Sequence, residues 1–171
     1  GVIDLEKLLR QLVDARHVTL EHARSKAAPD THTLSPQQKL ILDIPALDTP
    51  LIVRGSEHRL AQVFENLFVN ALSFSPPEGV VTVKVQTDRE RVTITVSDQG
   101  PGIPENKLES IFERFYTERP KHEDYGSHSG LGLSIARQIV KAHGGVIYAG
   151  NIRDFSGRVT GAKFTVLLNR V

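Results

Sequence analysis

Apolar residues recur along this chain at two different periods. Leu5, Leu8, Leu9, Leu12 and Val13 fall at helical spacing and predict an amphipathic helix over about 5–25. A second helical pattern covers SEHRLAQVFENLFVNALSF, 56–74, in which Leu60, Val63, Phe64, Leu67 and Leu72 dominate. Ser56 is placed to cap its first turn, and Pro76-Pro77 bars its continuation. A third helix is predicted over 130–143, stopping at Gly144-Gly145. Alternation marks VVTVKVQTD (80–88) and RVTITVSD (91–98) as strands joined by a turn near Asp88–Glu90. KLILDI (39–44), PLIVRG (50–55), GVIYAG (145–150) and GAKFTVLLN (161–169) read as further strands. Pro104 suits the first turn of a short helix through Leu108–Phe112. The segments 28–36 and 99–107 are loops, and 115–130 is polar without a period, expected to be a mobile loop. Strands and helices mix without regular alternation, so the predicted class is a two-layer α/β sandwich, not a doubly wound sheet.

Composition narrows the function more by exclusion than by assertion. At 171 residues the chain is expected to be one domain with a real core. A net charge of +1 gives no case for nucleic acid or an acidic membrane surface. The absence of Cys removes disulfides, thiolate metal sites and a Cys nucleophile. No apolar run is long enough to span a membrane. Met is absent and the chain starts at Gly1, which reads as a piece of something longer.

Three constellations carry chemistry. Gly130 and Gly132 open the last helix in SGLGLSIARQIVKAHGG, 129–145. Ile135 stands where the dinucleotide fingerprint needs a third glycine, and no P-loop pattern occurs anywhere. A helix N-terminus with glycines still admits an anion closely, although a flexible entry to a core helix would look the same. In SDQGPGIP, 97–104, Asp98 ends a strand beside Gly100 and Gly102. A carboxylate next to bare backbone suits an amine on a flat ring, and an Asx turn is the plain alternative. Asn66 and Asn70 lie four apart on one face of a strongly apolar helix. Such amides need partners: Mg²⁺ with a triphosphate, or neighbouring backbone.

Taken in order, Asn-x-x-x-Asn, Asp-x-Gly-x-Gly, IFERFY, Gly-x-Gly-Leu and Gly-x-x-Phe make the chain resemble the catalytic ATP-binding domain of sensor histidine kinases. The resemblance spans roughly 39–168, with the first helix matching more loosely. Within that family, NALSFSPP and HSGLGLSIARQIVKAHGG are most similar to the alphaproteobacterial ChvG/ExoS-like envelope-stress sensors. It implies the Bergerat (GHKL) fold, a mixed β-sheet of about five strands packed on three helices, with ATP held under a mobile lid over 115–130. It implies that 1–171 is one catalytic domain beginning with helix 1–25, its dimerisation and phosphoacceptor domain lying outside the sequence.

Carried over residue by residue, Asn70 is the expected Mg²⁺ ligand and Asn66 its polar neighbour at the phosphates. Ser73 and Phe74 follow them on the same helix, at the nucleotide. Asp98 is the expected adenine anchor, with Gly100, Gly102 and Ile103 beside it. Phe112, Phe115 and Tyr116 fall in the aromatic box, with Tyr116 assigned to the nucleotide. Ser129, Gly130, Leu131, Gly132 and Leu133 form the expected phosphate loop, and Phe164, on the last strand with Thr165, is also expected at the nucleotide.

Two departures matter. Ser73-Phe74 replace the Lys-Tyr or Lys-Phe common after Asn-Ala-x, and Thr117 replaces the usual Arg after the aromatic box. Arg114 and Arg119 are then the expected replacement cations and, with Asn66, the expected catalytic residues. Lys121 is a third nearby replacement, and all three cations also read as solvated loop charges, Lys121 most readily. Hydrolytic branches of the wider group place Glu where Asn66 stands, and an amide cannot act as a general base. Glu65 is displaced about 140° around the helix from Asn70. The expectation is therefore γ-phosphoryl donation to a histidine elsewhere. None of the seven histidines here sits in an acceptor motif. Expected cofactors are ATP and Mg²⁺; expected partners are the phosphoacceptor domain of the same kinase and a response regulator. Nucleic acid and membrane contacts are not expected of this segment. The isolated domain is expected to be a monomer, and the whole kinase a homodimer with this domain in the cytoplasm under an inner-membrane sensor. A hydrolytic ATPase clamp of the same fold, or a non-catalytic nucleotide-binding or docking module, are the alternatives.

Overall fold

The two alternating segments form the middle of a sheet. In the computed structural model, which describes residues 1–25, 37–114 and 132–171, β4 (Val80–Thr87) and β5 (Arg91–Ser97) pair antiparallel from Thr82↔Ser97 to Thr87↔Val92. Their turn is closed by Asp88, whose Oδ1 accepts from Glu90 N and Arg91 N, both at 2.8 Å. Every second residue points inward, so Val81, Val83, Val85, Val92, Ile94 and Val96 are buried.

Three more strands complete the sheet: β2 (Lys39–Asp43), β6 (Val146–Arg153) and β7 (Val159–Asn169). The spatial order is β2-β4-β5-β7-β6, with β2 parallel to β4 and all other neighbours antiparallel. This is the expected mixed five-stranded sheet. Three helices supply the second layer: α1 (Leu5–Ser25), α2 (Glu57–Phe74) and α3 (Gly132–Ala142). Leu60, Val63, Phe64, Leu67, Phe68, Ala71 and Leu72 of α2 are buried in a continuous core with the inward strand residues. Each large aliphatic or aromatic side chain removed from water there contributes about 1.5–3 kcal/mol. The sandwich assigned from the sequence is the observed architecture.

Four local expectations need correction. PLIVRG yields a strand only over Ile52–Arg54 (β3), and it lies outside the main sheet. It pairs with Val2–Asp4 (β1), a strand too short to show a period. The strand beginning in GVIYAG does not stop at Gly150 but continues to Arg153, because β7 offers it a full ladder. The strand placed at 161–169 starts two residues earlier, at Val159. The short helix after Pro104 is two 3₁₀ turns, Glu105–Lys107 and Ser110–Phe112, closed by Lys107 N to Pro104 O at 2.8 Å and Glu113 N to Ser110 O at 3.0 Å. The predicted lid over 115–130, the loop over 28–36 and the first two residues of the predicted helix 130–143 lie outside the described residues.

Candidate functional site

The site is assembled where β5 ends against the C-terminus of α2 and the start of α3. Helix α2 is fixed at both ends. Ser56 Oγ accepts from Arg59 N at 3.3 Å, as the sequence predicted for an N-cap, and Ser56 N donates to His143 Nε2 at 3.1 Å. At the other end Gln38 Nε2 donates to Leu72 O at 2.7 Å and Ser75 O at 3.0 Å, satisfying carbonyls a helix end leaves open. Gln38 was not singled out in the sequence, because an amide before an apolar strand carries no signature.

Asp98 sits just past β5 and is 4% exposed. Its Oδ1 accepts from Gly100 N at 2.8 Å and from Ala162 N on β7 at 3.0 Å. No described residue hydrogen-bonds Oδ2. Burial pushes the Asp98 carboxyl above its ordinary pKa, and the two N–H donors pull it partly back. A desolvated carboxylate with one oxygen committed to backbone and one uncommitted is an acceptor for a single external donor.

The loop after Asp98 has little freedom. Gln99 Oε1 accepts from Val80 N at 2.8 Å, and Gln99 N donates to Ser75 Oγ at 3.4 Å. A Cβ on Gly100 would lie 2.6 Å from Phe74 O, so glycine alone lets this loop touch the end of α2. Gly102 has φ +82° and its α-carbon faces Asn151 and Val159, so both backbone and space require glycine. Ile103 is half-buried against the core, and both of its backbone polar groups are bound by Asn151: Ile103 N to Oδ1 and Nδ2 to Ile103 O, each at 2.7 Å.

Asn66 and Asn70 are both half-buried on α2. Asn66 Nδ2 donates to Gly132 O at 3.1 Å, which joins α2 to the first residue of α3. No described residue hydrogen-bonds the Asn70 amide, while its backbone O accepts from Ser73 Oγ at 2.7 Å. An uncommitted amide oxygen of this kind fits a hard cation that takes one protein ligand and leans on phosphate and water for the rest. Ser73 and Phe74 are half-buried beside the Asp98 loop, and Leu133 packs at the core edge.

Glu65 does not join this face. Its carboxylate meets Arg16 Nη2 of α1 at 3.3 Å. Phe164 and Phe112 lie in the core, with ring centroids 6.1 Å apart at 79°, an edge-to-face pair. Arg137 of α3 covers the Phe112 ring at 5.3 Å and pairs with Glu109 at 3.1 Å, tying the aromatic segment to α3. Arg114 is exposed two residues beyond Phe112. Tyr116, Arg119, Ser129, Gly130 and Leu131, with Phe115, Thr117 and Lys121, lie outside the described residues.

The structure thus brings together Asp98, Gly100 and Phe74, and separately Asn66 and Gly132. Asn151, like Gln38, is a residue that sequence reasoning missed. It followed the end assigned to its strand, and the one available signal was a lone amide after an alternating apolar run.

Comparison with known proteins gives a concordant result. Residues 55–171 match the family described as histidine kinase-, DNA gyrase B-, and HSP90-like ATPase. The sensor protein ChvG of Rhizobium meliloti (strain 1021) is 42% identical over 97% of this chain. The chain spans only 27% of that protein's length. The mycobacterial sensor histidine kinase MprB superposes with a TM-score of 0.74 at 26% identity, covering 99% of this chain and 97% of that one. Histidine kinase ThkA in complex with response regulator protein TrrA superposes with a TM-score of 0.72 at 25% identity, covering all of this chain and 42% of that one.

Proposed function

The chain belongs to the family of histidine kinase-, DNA gyrase B-, and HSP90-like ATPases, and we propose that it is the Mg-ATP-binding catalytic domain of a two-component sensor histidine kinase. The observation that carries this reading is Asp98, buried, with Oδ1 saturated by Gly100 N and Ala162 N and Oδ2 left for a ligand donor. The exocyclic amine of adenine is such a donor, and a hydrogen bond to an ionised acceptor is the stronger kind.

The remaining roles follow from the residues around it. Gly100, Gly102 and Ile103 form the backbone wall beside the base, with Phe74 at the end of α2. The Asn70 amide oxygen holds Mg²⁺, and Ser73 lies next to it. Bound Mg²⁺ neutralises phosphate charge and orients the phosphate chain. Asn66 holds the start of α3, and with it the segment Ser129–Leu133, in reach of the phosphates. Arg114 and Arg119 supply the cations that the Ser73 and Thr117 positions do not, and Tyr116 closes on the nucleotide from the segment 115–130. Phe164 supports the site from β7 through the Phe112 ring.

The phosphoryl acceptor is an imidazole on a separate dimerisation domain. A ring nitrogen attacks the γ-phosphorus, the bond to the bridging oxygen breaks, and ADP leaves. An imidazole is already a competent nucleophile, so no general base is needed at Asn66, and this counts against the hydrolytic reading. Positioning and charge stabilisation do the work in such transfers. The sequence resemblance carries the placement of this domain in the cytoplasm beneath a membrane-bound sensor, the relatives named as sensor proteins support the sensor role, and the ThkA complex supports a response regulator as the downstream partner. Among the described residues, no helix is long and apolar enough to cross a membrane. The deciding experiment is ATP-dependent labelling of a separately expressed acceptor domain, with and without Mg²⁺. Labelling that requires both this chain and Mg²⁺ is expected. Steady ATP hydrolysis without an acceptor would overturn the reading.

A further inference from the structure

We propose that Asn151 is a positioning residue that sets base recognition by fixing the backbone of Ile103; the inference rests on the reading of Asp98 and its loop as the purine site. Asn151 lies on β6, paired with Ala162 of β7, the same residue whose N–H holds Asp98 Oδ1. Its amide makes a two-way pair with one residue's backbone. Oδ1 accepts from Ile103 N and Nδ2 donates to Ile103 O, both at 2.7 Å. This pair imitates the exchange between facing residues of an antiparallel ladder. It also fixes which way the amide points, since a flip would set donor against donor and acceptor against acceptor.

The second Nδ2 hydrogen goes to Glu105 Oε1 at 3.1 Å, and Arg153 Nη2 meets that same oxygen at 2.9 Å. Arg153 Nη1 donates in turn to Gly157 O at 2.8 Å. Asn151 is therefore the inner member of a polar chain that ties the loop after Asp98 to the β6–β7 hairpin. The loop needs such a tie. Gly102 has φ +82° and no side chain to anchor it. Asp98 holds only the near end of the loop, through Gly100 N. Two neighbouring strands thus set the two walls of one slot, β7 through Asp98 and β6 through Ile103. If Ile103 moves, Asp98 Oδ2 still accepts a hydrogen bond, but the slot no longer selects which ring edge presents the donor.

A purely structural tie would weaken every ligand alike. A positioning role weakens the matched base and spares the mismatched one. The test displaces trinitrophenyl-ATP from the chain with ADP and with GDP, and follows hydrogen exchange of the Ile103 amide. In Asn151→Ala both hydrogen bonds to Ile103 are lost, along with the one to Glu105, so ADP should bind about tenfold more weakly. GDP binding should be unchanged, so the preference for ADP should shrink by the same factor, and the Ile103 amide should lose protection. Arg153→Ala, which removes only the outer guanidinium, should leave ADP binding within about twofold, as expected for an exposed ion pair. Asn151→Asp keeps the acceptor for Ile103 N but sets a carboxylate oxygen against Ile103 O and Glu105, and it should lose ADP selectivity as Ala does. Unchanged ADP binding in Asn151→Ala, or equal loss of ADP and GDP, would overturn the positioning role while leaving the purine site standing. If Ala does not fold, an Asp variant with intact selectivity overturns it equally. An unaltered chain that binds no ADP would overturn the purine reading itself, and this inference with it.

Discussion

The Glu65 carboxylate is paired with the Arg16 guanidinium of α1 at 3.3 Å, on the side of α2 away from Asn70. The carboxylate nearest in sequence to the phosphate side is therefore occupied in joining two helices. Glu65→Gln should leave phosphoryl transfer and any residual hydrolysis at the unaltered rate. Its stability cost should be at most about 1 kcal/mol, since the pair is partly exposed. Single-turnover transfer at saturating ATP is the measurement, and a large loss of rate would make Glu65 a candidate base.

Asp98→Asn separates binding from stability. The amide oxygen can accept the Gly100 and Ala162 N–H groups, so the loop should hold. The charge that accepts from the ligand is gone, and nucleotide affinity should fall about ten- to a hundredfold. The variant also removes the burden of burying an ionised carboxylate, so its melting temperature should not drop. Calorimetry and thermal unfolding on the same sample check both halves.

Acid should act on Asp98 in a defined direction. Its pKa is raised above 3.8, first by burial. Between 3.8 and that raised value the folded chain holds the proton more tightly than the unfolded chain. The contribution of Asp98 to stability is thus greatest at low pH and is lost as pH rises through the window. Nucleotide binding runs the other way, because it needs the ionised form, and affinity should fall as pH drops through the raised pKa. Titrating ADP affinity against pH for the unaltered chain and for Asp98→Asn isolates this group, and the Asn variant should lack its step.

Asn70→Ala should abolish the Mg²⁺-dependent part of ATP binding and leave adenosine binding nearly intact. The Asn70 amide makes no hydrogen bond to a described residue, so its removal opens no unsatisfied group in α2. Comparing ATP and adenosine affinities with and without Mg²⁺ decides the matter. Equal loss of adenosine would mean that the helix itself had been damaged.

Not every element was equally legible. The alternation of Val81, Val83 and Val85 with Thr82 and Lys84 fixes both strand and buried face, because side chains on a strand must alternate. Helix α2 was legible at both ends, since Ser56 can cap and Pro76-Pro77 cannot continue. Val2–Asp4 was not, because three residues hold no period and become a strand only when Ile52–Arg54 lies beside them. The candidate site divides in the same way. Asp98, Gly100, Gly102, Asn66 and Asn70 could be named from residue type and spacing. Asn151 could not, because its two bonds to Ile103 cross 48 positions of sequence.

The sequence by itself determined the long periodic elements, the apolar faces that had to meet, and the residue types of the candidate site. Those properties are local: period, capping chemistry and the donors or acceptors of a side chain. Only the tertiary structure decided the strand order β2-β4-β5-β7-β6, the engagement of Glu65 by Arg16, and the commitment of Asp98 Oδ1 to Ala162 N. Each of these depends on which distant segment arrives at hydrogen-bonding distance. That is set by how the whole core packs, and no window of sequence contains it.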